Sequence, residues 1–270
     1  MLLILLVAGA VGGFIAGLVG VGGGVIFGPV LFFSFQAAGI EDPILTPLTL
    51  GSSLLCTFAA SASGAVAQGK VGAIDGRTAL VVGGIAAVAV VLVGRFVTTQ
   101  PWFDKEVFQV ILGVLLVVVV VRMVFKTDRA DTLSTAGSKR SLGRLAVAGL
   151  GAGTIASLAG VGGGVVMVPA FSGFVRLPMK VAAGSSTAAI TIITAVGVAT
   201  YAALGWGEPT PNGALGYVDW RSAAVLALPA VVTARLGVAT AHRIDVRAVR
   251  LSFAAFAAVV AARLLWNALA

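Results

Sequence analysis

The chain has 270 residues and is 59% hydrophobic before its 36 glycines are counted, where a soluble domain reaches roughly 45–50% with glycine included. Only 10% of its residues are charged and the mean hydropathy is +1.09, so there is no polar shell and lipid must be the solvent. This excludes a soluble enzyme, a nucleic-acid-binding domain and a disordered chain, and the net charge of +8 is too scattered to form a nucleic-acid stripe.

In chain order, residues 1–10 end in Ala8-Gly9-Ala10, which resembles a signal-peptidase site. No Lys or Arg precedes it and the apolar stretch is short, so a retained first helix is expected. Apolar segments then run over about residues 2–38, 45–67, 78–97 and 107–125. A polar stretch follows at 126–144, carrying Lys126, Arg129, Lys139, Arg140 and Arg144 among Ser and Gly. Apolar segments resume over about 145–175, 181–204, 222–240 and 251–269. The expected organisation is a first membrane repeat over 1–125, a basic linker over 126–144 and a second repeat over 145–270.

The two parts repeat each other. Gly17-Leu-Val-Gly-Val-Gly-Gly-Gly24 with Pro29 returns as Ser157-Leu-Ala-Gly-Val-Gly-Gly-Gly164 with Pro169. Gly51-Ser52-Ser53 returns as Gly184-Ser185-Ser186, Asp75 and Arg77 as Asp219 and Arg221, and Asp104 and Arg122 as Asp245 and Arg263. Internal repeats of this kind are typical of secondary transporters. As one helix, residues 2–38 would reach about 55 Å, against a hydrocarbon core of ~30 Å. A break at the glycines, giving a hairpin that enters and returns on one side, resolves the excess. That topology puts 14 of the 18 Lys and Arg residues on or towards the cytoplasm; single crossings give 10 against 8. The positive-inside rule favours the hairpins. The fold class expected is therefore an all-α polytopic membrane protein of two inverted repeats, each a Gly-broken hairpin plus three transmembrane helices, with the linker cytoplasmic.

Gly20-Val-Gly-Gly-Gly24 and Gly160-Val-Gly-Gly-Gly164 lack the Lys-Ser/Thr of a phosphate-binding loop and end too early for a dinucleotide fingerprint. Helix packing accounts for the spacing of Gly9, Gly13 and Gly17, yet it does not require three consecutive glycines, each costing roughly 1 kcal/mol in a helix. Irregular backbone at membrane depth survives only when buried in protein or lining a cavity, and a fresh helix start there presents N–H groups to an anion. Gly22, Gly23, Gly24, Gly162, Gly163 and Gly164 are accordingly the candidate anion-binding residues, with Ser52, Ser53, Ser185, Ser186 and Thr187 as candidate hydroxyl donors. The competing reading of the hydroxyls is back-bonding to their own helices. Asp75 and Asp219 read as helix N-caps. Arg95 and Arg235 lie near span ends, where they either snorkel or supply pore charge; His242, beside Arg243, reads as solvated. All ten acidic residues fall in loops or at span ends, so a mid-membrane proton relay or cation site is not expected. One histidine and one cysteine, Cys56, leave no metal motif, no catalytic pair and no intrachain disulfide.

The twin GVGGG segments with their prolines, the two Gly-Ser-Ser triplets and Ala234-Arg235-Leu236-Gly237 resemble the sulfite exporter TauE/SafE family over essentially the whole chain. The resemblance implies transport of sulfite, sulfoacetate, thiosulfate or a related organosulfonate across the bacterial plasma membrane. The partners implied are a small anion and the lipid bilayer, with no nucleic acid, cofactor or metal. Leu54 stands where the second copy has Thr187, a departure from strict symmetry. An anion channel and a non-transporting membrane subunit are the alternatives to a carrier.

Overall fold

A computed structural model describes residues 2–125, 141–211, 213–241 and 247–269. Linker residues 126–140 and His242 lie outside the described residues. The first repeat contains α1 (Leu2–Val19), α2 (Gly24–Ala37), α3 (Leu45–Lys70), α4 (Gly76–Val93) with a π turn at Gly94–Thr98, and α5 (Lys105–Phe125). The second contains α6 (Leu142–Ala159), α7 (Gly164–Pro169) with a π turn at Ala170–Phe174, α8 (Met179–Leu204), α9 (Trp220–Ala241) and α10 (Arg247–Leu269). No strand occurs among the described residues. Among the described residues, six helical spans, formed by α1, α3, α4 with its π turn, α6, α8 and α9, are long and apolar enough to cross a membrane. The protein is an all-α polytopic membrane protein.

Each long apolar segment breaks where the glycines stand. In the breaks Gly20, Gly22 and Gly23 have φ of 77°, 86° and 75°, and Gly160, Gly162 and Gly163 have 66°, 72° and 76°. L-residues with side chains rarely adopt this left-handed region, which is why these three positions in each break are glycine. The chain then folds back on itself. A side chain on Gly12 of α1 would strike the Phe27 ring of α2, and one on Gly23 would meet the Gly12 carbonyl. In the second copy, Gly163 faces the Ala152 carbonyl.

Packing interlocks the two repeats. α1 lies parallel to α9, and Gly9, Gly13 and Gly17 face the backbone of Leu226, Ala230 and Ala234 with no space for a Cβ. α6 does the same on α4, with Gly149 and Gly153 against the carbonyls of Val82 and Ala86. These glycines serve close backbone packing, as their four-residue spacing indicates. α3 and α8 run antiparallel, since Gly51 meets Tyr201, Leu54 meets Gly197, Ser61 meets Thr191 and Gly64 meets Thr187. Exposed valines such as Val114, Val118 and Val121 on α5 form the outward face that lipid covers.

Asp75 and Asp219 are N-caps. The Asp75 carboxylate accepts from the Thr78 N–H at 2.9 Å, ahead of α4. That of Asp219 accepts from the Arg221 N–H at 3.1 Å, ahead of α9.

Candidate functional site

The two glycine breaks meet each other at the middle of the molecule. A Cβ on Gly24 would fall 2.6 Å from Val161 Cα, and one on Gly164 would strike the Val21 carbonyl. Against both tips lie one residue of α3 and one of α8. Thr57 touches Gly22, Gly24 and Gly162, and Ile190 touches Gly22, Gly162 and Gly164. Thr57 is the thirteenth of 26 residues in α3, and Ile190 is the twelfth of 26 in α8. Each of these helices extends about 39 Å, so the tips sit halfway along the two longest helices. α2 starts at this point, at Gly24, with its positive dipole end; the Ile26 and Phe27 N–H groups bond to the Gly23 carbonyl at 2.9 and 3.2 Å, which leaves those of Gly24 and Val25 ahead of the first intrahelical bond.

The sequence-derived glycines divide by role. Gly22, Gly24, Gly162 and Gly164 face the seam between the tips, whereas Gly23 and Gly163 face back onto α1 and α6 and shape the turn.

The Gly-Ser-Ser triplets hold these tips in place through bonds that cross between the repeats. Ser53 Oγ donates to the Gly160 carbonyl at 2.8 Å and Ser186 Oγ to the Gly20 carbonyl at 3.0 Å. Ser52 Oγ accepts from the Asp219 N–H at 2.9 Å and Ser185 Oγ from the Asp75 N–H at 2.8 Å. Gly51 and Gly184 have no side chain because they press on the carbonyls of Tyr217 and Ala73 in the same loops. One triplet thus fixes the opposite hairpin's tip and the opposite capping loop. Thr187 bonds back to the Ala183 carbonyl at 2.9 Å. In all five cases the hydroxyl oxygen has a protein partner.

The arginines lie elsewhere. Arg95 is exposed on the π turn that ends α4. Arg235 is exposed on α9, with Nε donating to Ser63 Oγ at 3.0 Å. Ser63 is six residues beyond Thr57, about 9 Å along α3. Outside the spans, Tyr217 is packed in the loop before α9, where burial, and secondarily the Glu208 charge, raises its pKa. No group of three His, Cys, Asp or Glu suited to a metal occurs among the described residues.

Sequence reasoning passed over Thr57. A threonine within an apolar span is common, and nothing in its local pattern marks it. Its signal is three-dimensional: it is fully buried and its Oγ1 has no hydrogen-bond partner.

The family described as sulfite exporter TauE/SafE matches residues 5–264. A probable membrane transporter protein of Haemophilus influenzae is 27% identical over 263 residues, covering 96% of each chain. One from Methanocaldococcus jannaschii is 25% identical over 257 residues, covering 95% of this chain and 92% of the relative. The probable membrane transporter protein YunE of Bacillus subtilis is 24% identical over 263 residues, covering 91% and 90%. No solved structure matches. With the glycine-broken hairpins, the paired triplets and a family match over nearly the whole chain, this protein belongs to the sulfite exporter TauE/SafE family of membrane transporters.

Proposed function

We propose that the protein is a secondary carrier that moves a small sulfur-containing anion, such as sulfite, sulfoacetate, thiosulfate or a related organosulfonate, across the plasma membrane by alternating access. The anion binds where the two hairpin tips meet. The bare backbone at Gly22, Gly24, Gly162 and Gly164 lets the tips close directly on each other, the anion enters as they part, and the N-terminus of α2 attracts it. Gly23 and Gly163 set the turns. Ser52, Ser53, Ser185 and Ser186 act as positioning residues that hold the tips and caps across the repeats, with Thr187 on the adjoining helix. Arg95 and Arg235 act at the approaches and make no contact with bound anion.

The observation that carries this reading is the meeting of two irregular backbone segments halfway along α3 and α8. Broken helices near the midplane at a repeat interface are how secondary transporters build their sites, and the family name supplies the chemical class. The antiparallel run of α3 and its counterpart α8 supports inverted repeats. Lys70 at the end of α3 and Lys180 at the start of α8 therefore lie at one end, which the positive-inside rule makes cytoplasmic, together with the basic linker between the repeats at 126–144.

The test is sulfite counterflow in proteoliposomes. A carrier accelerates uptake of labelled sulfite when unlabelled sulfite is loaded inside. Flux that rises without saturation and shows no acceleration would establish a channel instead.

A further inference from the structure

We infer that Thr57 is the substrate-contacting hydroxyl of the site, and that the site selects a singly charged oxyanion with an apolar side, which narrows the anions named above to hydrogensulfite or a simple alkanesulfonate and disfavours the dianions thiosulfate and sulfoacetate. This rests on the reading that the tips bind the anion. Thr57 combines full burial with an unpartnered hydroxyl, unlike most threonines in the spans. Thr49, Thr191, Thr194, Thr200 and Thr233 each donate to the carbonyl four residues earlier, at 2.7 to 3.0 Å. This back-bond is the ordinary resting place of a helical threonine. Thr57 forgoes it. Its Oγ1 lies 2.8 Å from the position of a Cβ on Gly24, the first residue of α2, and it is fully buried without a partner. Leaving a buried hydroxyl unpaired is costly, and the cost is recovered when an acceptor arrives. Gly24 is also the first residue of α2, whose Gly24 and Val25 N–H groups precede the first N–H that bonds to the Gly23 carbonyl, that of Ile26, so the ligand that satisfies hydroxyl and helix start together is an anion's oxygen.

The repeat symmetry then gives the site its polarity. Thr57 and Ile190 stand at equivalent positions, five residues after the first serine of each triplet. One wall is a hydroxyl and the other is a branched alkyl chain. Thr194, beside Gly162, presents its methyl and spends its hydroxyl on the Ile190 carbonyl at 2.7 Å. Val21 and Val161 complete the contacts. None of these side chains is charged. A helix terminus supplies roughly half an elementary charge, which suits one negative charge and leaves a dianion undercompensated. The oxygen end of the ligand faces Thr57 and α2, and its apolar end rests on Ile190.

Calorimetry on purified protein with methanesulfonate, sulfite and sulfate tests this. Methanesulfonate should bind the wild type at least about tenfold more tightly than sulfate. Thr57→Val keeps the shape and deletes the donor, so it should weaken methanesulfonate binding about tenfold to a hundredfold, with the unfolding midpoint unchanged or raised. Thr57→Ser should stay within about threefold of the wild type. Unchanged affinity in Thr57→Val overturns the inference while leaving the tip site intact, and tighter binding of sulfate overturns the charge selectivity. If the wild type binds none of the three anions, both this inference and the tip-site reading fall.

Discussion

The serines illustrate what one residue can and cannot disclose. Their pairing in two copies marked them as important, and each does have a defined partner across the repeats. The sequence could not say whether that partner was an anion or a backbone group, because a hydroxyl serves both. Thr57 is the converse, a residue with no sequence mark whose only signal is a missing partner in three dimensions. The aspartates were legible because capping is local: a carboxylate at the helix start needs only the N–H groups two or three residues ahead. Ser52→Ala and Ser185→Ala each strand the N–H of a capping aspartate. Both should lower stability by about 1 kcal/mol, and by similar amounts, since the two bonds are equivalent. Thermal unfolding in detergent reads this directly, and a loss confined to one variant would show that the repeats are not loaded alike.

At the scale of helices, most of the organisation was legible. Hydropathy located the spans because lipid demands long apolar runs, and the glycine clusters located the breaks because consecutive glycines disfavour a helix. What hydropathy could not reveal was the π turn that carries Arg95 or the one after Pro169, since neither interrupts apolarity. Their positions depend on packing against other helices. The direction of each helix is testable. In a Cys56→Ser background, free of the one native thiol, Lys70→Cys and Lys180→Cys should label with an impermeant thiol reagent only from the cytoplasmic side. Glu41→Cys and Glu208→Cys should label only from outside, all four positions being exposed. Labelling of Lys180→Cys from outside would mean that the second hairpin crosses the membrane fully.

The whole molecule is not two halves resting side by side. α1 is buried against α9 and α6 against α4, through glycines that bring backbones into contact. Separating residues 1–125 from 145–270 as rigid bodies would expose both interfaces, so the moving units of a transport cycle must each combine helices from both repeats. α1 with α9, and α6 with α4, are the natural pairs. α3 and α8 cross between them with the hairpin tips at their midpoints, and in the proposed alternating-access cycle it is relative movement of these pairs that would open the tips first to one side and then to the other. None of this interlocking was legible from the repeat itself, which gives the equivalence of helices without saying which copy each one touches.

The most direct measurement is substrate protection at the meeting point. Val21 is half-buried at the first tip, beside Gly164. With Val21→Cys in the Cys56→Ser background, an impermeant thiol reagent should modify the protein from either side of a proteoliposome, and saturating sulfite should slow both reactions at least several-fold. Glu41→Cys, on the exposed loop between α2 and α3, should react at the same rate with and without sulfite. Modification of Val21→Cys that sulfite leaves unchanged, in protein that still transports sulfite, would contradict the claim that the anion binds where the two tips meet.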